Sequence, residues 1–176
     1  MKHLLILFFT ILFTLPTVAQ DIKNEAIEHP TKTTTYYFIR HAEKNRSDAN
    51  NKNPNLIQEG ILRAAKWSLV FDNVKFDAIY STDYNRTNQT AQPTAEKNGL
   101  DITIYNPRNL YSEGFINQTN GKTVLVVGHS NTTPQFVNAV LGQDKYSSID
   151  DSNNANLYIV TISSNGEISD TLLVIE

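Results

Sequence analysis

The chain reads as an α/β protein, a three-layer α/β/α sandwich around a mostly parallel mixed sheet. Two observations predict it. Short apolar runs of strand length alternate with helical periods along most of the chain. The last two apolar runs instead flank Ser164-Asn165-Gly166, whose Asn-Gly pair signals an antiparallel hairpin. Alternating βαβ units put helices on both faces of a sheet, and the closing hairpin makes that sheet mixed.

At the amino terminus, Met1-Lys2-His3 precedes an apolar run from Leu4 to Leu15, broken only by Thr10 and Thr14. Pro16 and the small residues up to Ala19 follow. A basic start, a run of this length and small residues before a cut form a secretory signal peptide over residues 1–19. The run is shorter than the roughly 20 residues a bilayer span needs, so no stable membrane insertion is expected after cleavage. Residues 20–33 are polar, hold Pro30 and read as a linker; residues 34–176 form the domain. Cleavage after Ala19 leaves 157 residues, which suits one domain with a sizeable core. The leader implies a bacterial periplasmic or secreted location.

Strands are expected at Thr35–Arg40, Phe76–Tyr80, Ile102–Tyr105 and Thr123–Val127, with the hairpin at Leu157–Ser163 and Ile168–Ile175. A helix fits Ile57–Phe71, where Ile61, Ala65 and Leu69 recur at fours. A second fits Tyr84–Asn98, closed by Gly99, with Pro93 inside it predicting a kink or a split. A third fits Pro134–Leu141, closed by Gly142, with Pro134 at its first position and Thr133 as its cap. A weaker helical pattern covers Asn109–Gln118. The Asn-rich stretch from Asn45 to Asn55 reads as a loop.

Composition narrows the function. Lys and Arg number 15 against 18 Asp and Glu, a net charge of −3, and removal of Lys2 with the leader makes it −4. A mildly acidic chain without a Lys/Arg block is suited neither to nucleic acid nor to a membrane surface. The chain has no cysteine, so disulfides, a thiolate nucleophile, a cysteine-bound metal and a cysteine lipid anchor are all excluded.

Ligands of open α/β sheets gather beyond the carboxyl ends of the strands. Arg40, His41, Glu43 and Lys44 follow the first strand. Ser81, Thr82 and Asp83 follow the second, with Arg86 one helical turn on. Gly128-His129-Ser130-Asn131 follows the strand TVLVV. Of four histidines, His3 lies in the leader and His29 in the linker, so both domain histidines stand at strand ends. Two histidines and two arginines, without cysteine or clustered carboxylates, make a poor metal site and a good phosphate site. Guanidinium forks match phosphate oxygens, and a neutral imidazole can attack phosphorus.

Phe38-Ile39-Arg40-His41-Ala42-Glu43-Lys44 resembles the Arg-His-Gly signature of the histidine phosphatase superfamily. The block from Tyr80 to Ala91 is similar to that family's second motif, and Leu125-Val126-Val127-Gly128-His129-Ser130-Asn131 to its third. Leu56 and Gly60 also fit. The resemblance implies a phosphoglycerate mutase-like fold from about Thr35 to Ile175, with no cofactor and no metal. It implies that His41 forms a phosphohistidine while Arg40, Arg86 and His129 bind the phosphoryl group. Lys44 and Ser81 are candidate substrate-binding residues. Ala42 replaces the signature glycine, which demands only that its φ not be positive. Larger members carry a capping insertion between the second and third blocks that supplies an acid; here only Leu100 to Lys122 lies there, so the site is expected to be open. Glu113, in that segment, is either the leaving-group acid or a solvated helix-face carboxylate. Asp83 either orients Arg86 or caps its helix, and Glu43 reads as a salt-bridge partner rather than a base.

The expected activity is metal-independent hydrolysis of a phosphorylated small molecule or phosphoprotein. Gly128-His129-Ser130 also suggests a nucleophile elbow, but Thr132 stands where its last glycine belongs and no histidine follows His129. The remaining alternative is a phosphate- or phosphoester-binding protein of the same fold with impaired turnover.

Overall fold

The computed structural model describes residues 32–176; the leader and nearly all of the linker lie outside the described residues. Six strands alternate with four helices: β1 (Thr34–Arg40), α1 (Gln58–Val70), β2 (Ala78–Ser81), α2 (Asn85–Asn98), β3 (Ile102–Ile104), α3 (Glu113–Thr119), β4 (Thr123–Gly128), α4 (Thr132–Leu141), β5 (Asn156–Ile162) and β6 (Ile168–Val174). They build one sheet in the order β3-β2-β4-β1-β5-β6. The first four neighbours run parallel, and β5 pairs antiparallel with both β1 and β6. The expected mixed α/β sandwich is the one formed.

Chain direction explains the layers. The crossovers from β1 to β2 and from β2 to β3 step one way along the sheet, and the return from β3 to β4 steps back. Right-handed crossovers between the parallel strands place α1 and α2 on one face and α3 on the other, and α4 packs beside α3. Trp67, Phe71, Ala91 and Ala95 pack on Ile39, Ile79, Leu125 and Val127 on the first face. Phe115, Phe136, Val137 and Val140 pack on Tyr36, Phe38, Val124 and Val126 on the second. Alternate residues of β1 and β4 thus serve opposite cores, which is why both strands read as unbroken apolar runs.

Three local expectations change. The helix over α1 forms, but Ile61 and Leu69 are 52% and 69% exposed and Ala65 is exposed too, while Gly60, Ala64 and Trp67 face inward. Close approach decides the face: a Cβ on Gly60 would lie 2.2 Å from the Glu43 carbonyl oxygen. Pro93 does not split α2, which runs unbroken with Thr90 and Ala91 buried before the proline and Thr94 and Ala95 after it. Packing on both sides of the proline holds the helix together. Pro134 is the third residue of α4 rather than the first, and Asn131 precedes the helix without a side-chain cap. Thr133 is instead buried, its hydroxyl donating to the Ile39 carbonyl at 3.3 Å.

Candidate active site

The parallel strands β1, β2 and β4 end at one edge of the sheet. Register fixes their alignment: Arg40 is opposite Gly128, and Ser81 is opposite Val127. The His41 amide donates to the Gly128 carbonyl at 2.9 Å, extending the ladder one residue past β1. A cavity of about 350 Å³ opens beyond these ends, lined by Arg40, His41, Lys44, Tyr84, Arg86, Pro107, His129, Asp151 and the start of α4.

His41 is 3% exposed, and its Nδ1 lies 2.7 Å from the Ala42 carbonyl oxygen. A carbonyl only accepts, so Nδ1 carries the proton and Nε2 keeps its lone pair. Burial, with help from Arg40, His129 and Arg86, lowers the His41 pKa to about 3. The ring is therefore neutral through the physiological range. Ala42 has no positive φ and is fully buried, its amide donating to Thr90 Oγ1 at 2.9 Å. An alanine fits where the signature has glycine.

His129 stands with its ring centroid 5.5 Å from that of His41. Arg86 Nη2 approaches its Nδ1 at 3.4 Å, which makes Nδ1 the acceptor and Nε2 the donor to Thr82 Oγ1 at 2.9 Å. Thr82 continues to Thr87 Oγ1 at 3.0 Å, which donates to the Thr82 and Tyr84 carbonyls at 2.9 Å. Burial first, then Arg86 and Lys44, lower the His129 pKa to about 4. Both imidazoles are thus neutral among cations, and each tautomer is fixed by a partner.

The guanidiniums differ. Arg86 lies with its Cζ 4.3 Å over the Tyr84 ring, and its Nε and Nη1 are buried without a partner. Arg40 is 1% exposed. Its Nη1 donates to the Asp150 and Asn153 carbonyls at 2.9 and 2.8 Å, its Nη2 to Asp151 Oδ1 at 2.5 Å, and its Nε has no partner. Buried donors without acceptors in a cationic cavity suit an oxyanion. Among the described residues, no group of three or more His, Asp or Glu side chains could hold a metal ion.

The sequence pattern of the histidine phosphatase superfamily (branch 1) matches residues 36–106, a segment holding Arg40, His41 and Arg86. The fold matches solved structures at low identity. The SixA protein of Agrobacterium tumefaciens is 20% identical, with 81% of this chain and 99% of that one covered at a TM-score of 0.59. A mycobacterial glucosyl-3-phosphoglycerate phosphatase is 13% identical, with 82% and 99% covered at 0.61. Phosphoglycerate mutase from Bacillus anthracis is 13% identical, with 84% and 95% covered at 0.60. The chain carries the histidine phosphatase fold. No curated protein matches it in sequence.

Within that histidine phosphatase framework the cavity gathers Arg40, His41, Lys44, Arg86 and His129. It does not gather every candidate. Ser81 is fully buried, its hydroxyl donating to the Thr82 carbonyl at 3.0 Å, and lines no part of the cavity. Glu113 is exposed at the first position of α3, away from the cavity lining. The segment after β3 contributes only Pro107. Asp83 is exposed and caps nothing, since α2 starts after Tyr84 without a side-chain cap. Glu43 receives Arg63 Nε at 2.7 Å.

Four contacts that position these side chains are not read from the strand ends alone. Thr82 holds His129, Tyr84 carries Arg86, and Asn154 Nδ2 donates to the His41 carbonyl at 2.7 Å. Asp151 grips Arg40 from a loop more than a hundred residues away in the chain. One signal was available in the sequence. Thr87, Thr90 and Thr94 recur at threes and fours, and all three are buried on one face of α2.

Proposed function

We propose that this chain is an exported phosphohydrolase that cleaves phosphomonoesters or phosphohistidine through a covalent phosphohistidine on His41. One observation carries the reading. A neutral imidazole with its Nδ1 proton committed to the Ala42 carbonyl lines a cavity shared with His129 and two guanidiniums that keep unpartnered donors. In the first step His41 Nε2 attacks phosphorus, the P–N bond forms and the bond to the leaving oxygen breaks. Arg40 and Arg86 stabilise the charge gathering on the phosphoryl oxygens, and His129, its one N–H committed to Thr82, accepts from Arg86 and orients it. Water then attacks the phosphohistidine, the P–N bond breaks, and phosphate leaves with His41 restored. These residues need no metal for either step. The neighbours named phosphatases support this class of reaction, and the leader supports export.

A second reading keeps the binding and drops the turnover, and one observation favours it. Among the described residues, Asp151 is the only carboxylate lining the cavity, and its contacts with Arg46 and Arg40 lower its pKa to about 2. It is ionised when a leaving alkoxide needs a proton. One experiment separates the two readings. The mature protein is quenched without acid after brief exposure to labelled phosphomonoester. An acid-labile, base-stable phosphoprotein that is absent in His41→Ala supports hydrolysis. Labelling that persists in His41→Ala removes His41 as nucleophile, and phosphate binding without any labelling leaves the binding protein.

A further inference from the structure

The loop from Asp150 to Asn154 carries no motif, yet it contacts both Arg40 and His41. Asp151 is 64% exposed, whereas Arg40 beneath it is 1% exposed. Its Oδ1 accepts from Arg40 Nη2 at 2.5 Å and its Oδ2 from Arg46 Nη1 at 2.6 Å, while its carbonyl accepts from Arg46 Nη2 at 3.2 Å. A carboxylate is thus stretched between a buried arginine of the cavity and an exposed one on the Asn45–Asn55 loop.

We propose that Asp151 is a built-in counter-anion of the phosphoryl pocket, competing with phosphate oxygens for Arg40 and limiting how tightly the site holds free phosphate. The inference rests on the phosphohydrolase reading and deepens it. A guanidinium has five N–H donors. Two on Nη1 go to the Asp150 and Asn153 carbonyls and one on Nη2 goes to Asp151, leaving one on Nε and one on Nη2. Those two nitrogens form one edge of the fork, so a phosphate gripped there shares Nη2 with Asp151. Arg40 does not depend on Asp151 for its place, because two backbone carbonyls and burial already fix it. The carboxylate therefore acts at the pocket mainly through its charge. Among the described residues it is the lone anion lining the cavity beside Arg40, Lys44 and Arg86. Arg46 keeps it at the rim whether or not it touches Arg40. A cavity with fixed cations and no such anion would retain its own product.

Titration calorimetry with inorganic phosphate on the mature wild type, Asp151→Asn and Asp151→Ser tests this. One negative charge a few ångströms from a bound anion, at a partly solvated rim, is worth roughly five- to tenfold in Kd. Both variants should bind phosphate tighter by about that factor, and the KM for an aryl phosphate should fall alongside. A residue that merely braced the loop would give the opposite, looser phosphate with a lowered Tm. Unchanged or weaker binding in both variants overturns the proposal, as does the absence of phosphate binding in all three proteins. Failure of the phosphohydrolase reading registers separately, as missing His41-dependent labelling by a monoester.

Discussion

Acidification from pH 8 to pH 5 should destabilise the fold through its two buried imidazoles. In the folded chain His41 has a pKa of about 3 and His129 of about 4, each below the ordinary value of 6.5. The unfolded chain therefore binds more protons below pH 6.5, and stability falls as pH falls until each folded pKa is passed. At pH 5 the unfolded imidazole is about 1.5 units below its pKa while the folded one is still neutral. At 1.36 kcal/mol per unit this costs about 2 kcal/mol for His41. His129 is less deeply buried and its share is discounted to about 1 kcal/mol for solvent screening. The expected total of about 3 kcal/mol is a large fraction of the 5–15 kcal/mol typical of a domain. Asp151, held near 2, does not begin to contribute until the pH is lower still. Denaturant unfolding of the mature protein at the two pH values measures the loss, and His41→Gln, His129→Gln and the double variant divide it. The double variant should lose little between pH 8 and pH 5. An undiminished loss in that variant would show that the two imidazoles are not buried neutral groups and that His41 is not a neutral nucleophile. The same pKa values place the acid limb of kcat/KM well below pH 6.5, since His41 stays unprotonated there.

Four further outcomes follow from the geometry. Tyr84→Leu removes the ring under Arg86, an interaction worth about 0.5–2 kcal/mol, and should lower kcat/KM severalfold, with Tyr84→Phe restoring most of it. Steady-state kinetics on one aryl phosphate decide this, and equal losses in Leu and Phe would refute the stacking role. Because the carboxylate of Asp151 in the cavity lining is ionised and cannot protonate a leaving alkoxide, aryl phosphates should turn over much faster than alkyl phosphates, by up to about the 10²–10⁴ that a positioned acid contributes. Glu113→Gln, on an exposed residue away from the cavity, should change neither class by more than about twofold; a selective loss on alkyl esters would return Glu113 to the mechanism. Gly60→Ala sets a methyl against the Glu43 carbonyl and should cost about 2–3 kcal/mol of stability, read as a Tm drop, and a neutral result would contradict the close packing of α1 on residues 42–44.

The fold class, and the gathering of four candidate residues at one sheet edge, were legible because both depend on local chemistry. Alternating strand and helix periods with a terminal Asn-Gly turn determine a mixed α/β sheet, and Gly166 at a φ of 84° makes that turn. Parallel strands end on one side, so the sequence alone places Arg40, His41, Arg86 and His129 at one edge of the sheet. What remained depends on contacts between distant segments. Periodicity locates a helix but not the face it buries, and α1 turns Gly60 inward where a Cβ would meet the Glu43 carbonyl. Distance along the chain hides the other decisions. The Asp151 grip on Arg40 spans 111 positions and the Asn154 bond to His41 spans 113. Residue type alone could not tell the buried Ser81 from the cavity-lining Lys44, nor the exposed Glu113 from an acid. Local sequence determined which groups could serve phosphate chemistry. The tertiary structure decided their tautomers, their charges and the carboxylate set among them, because burial and neighbours at a few ångströms, not residue identity, fix those properties.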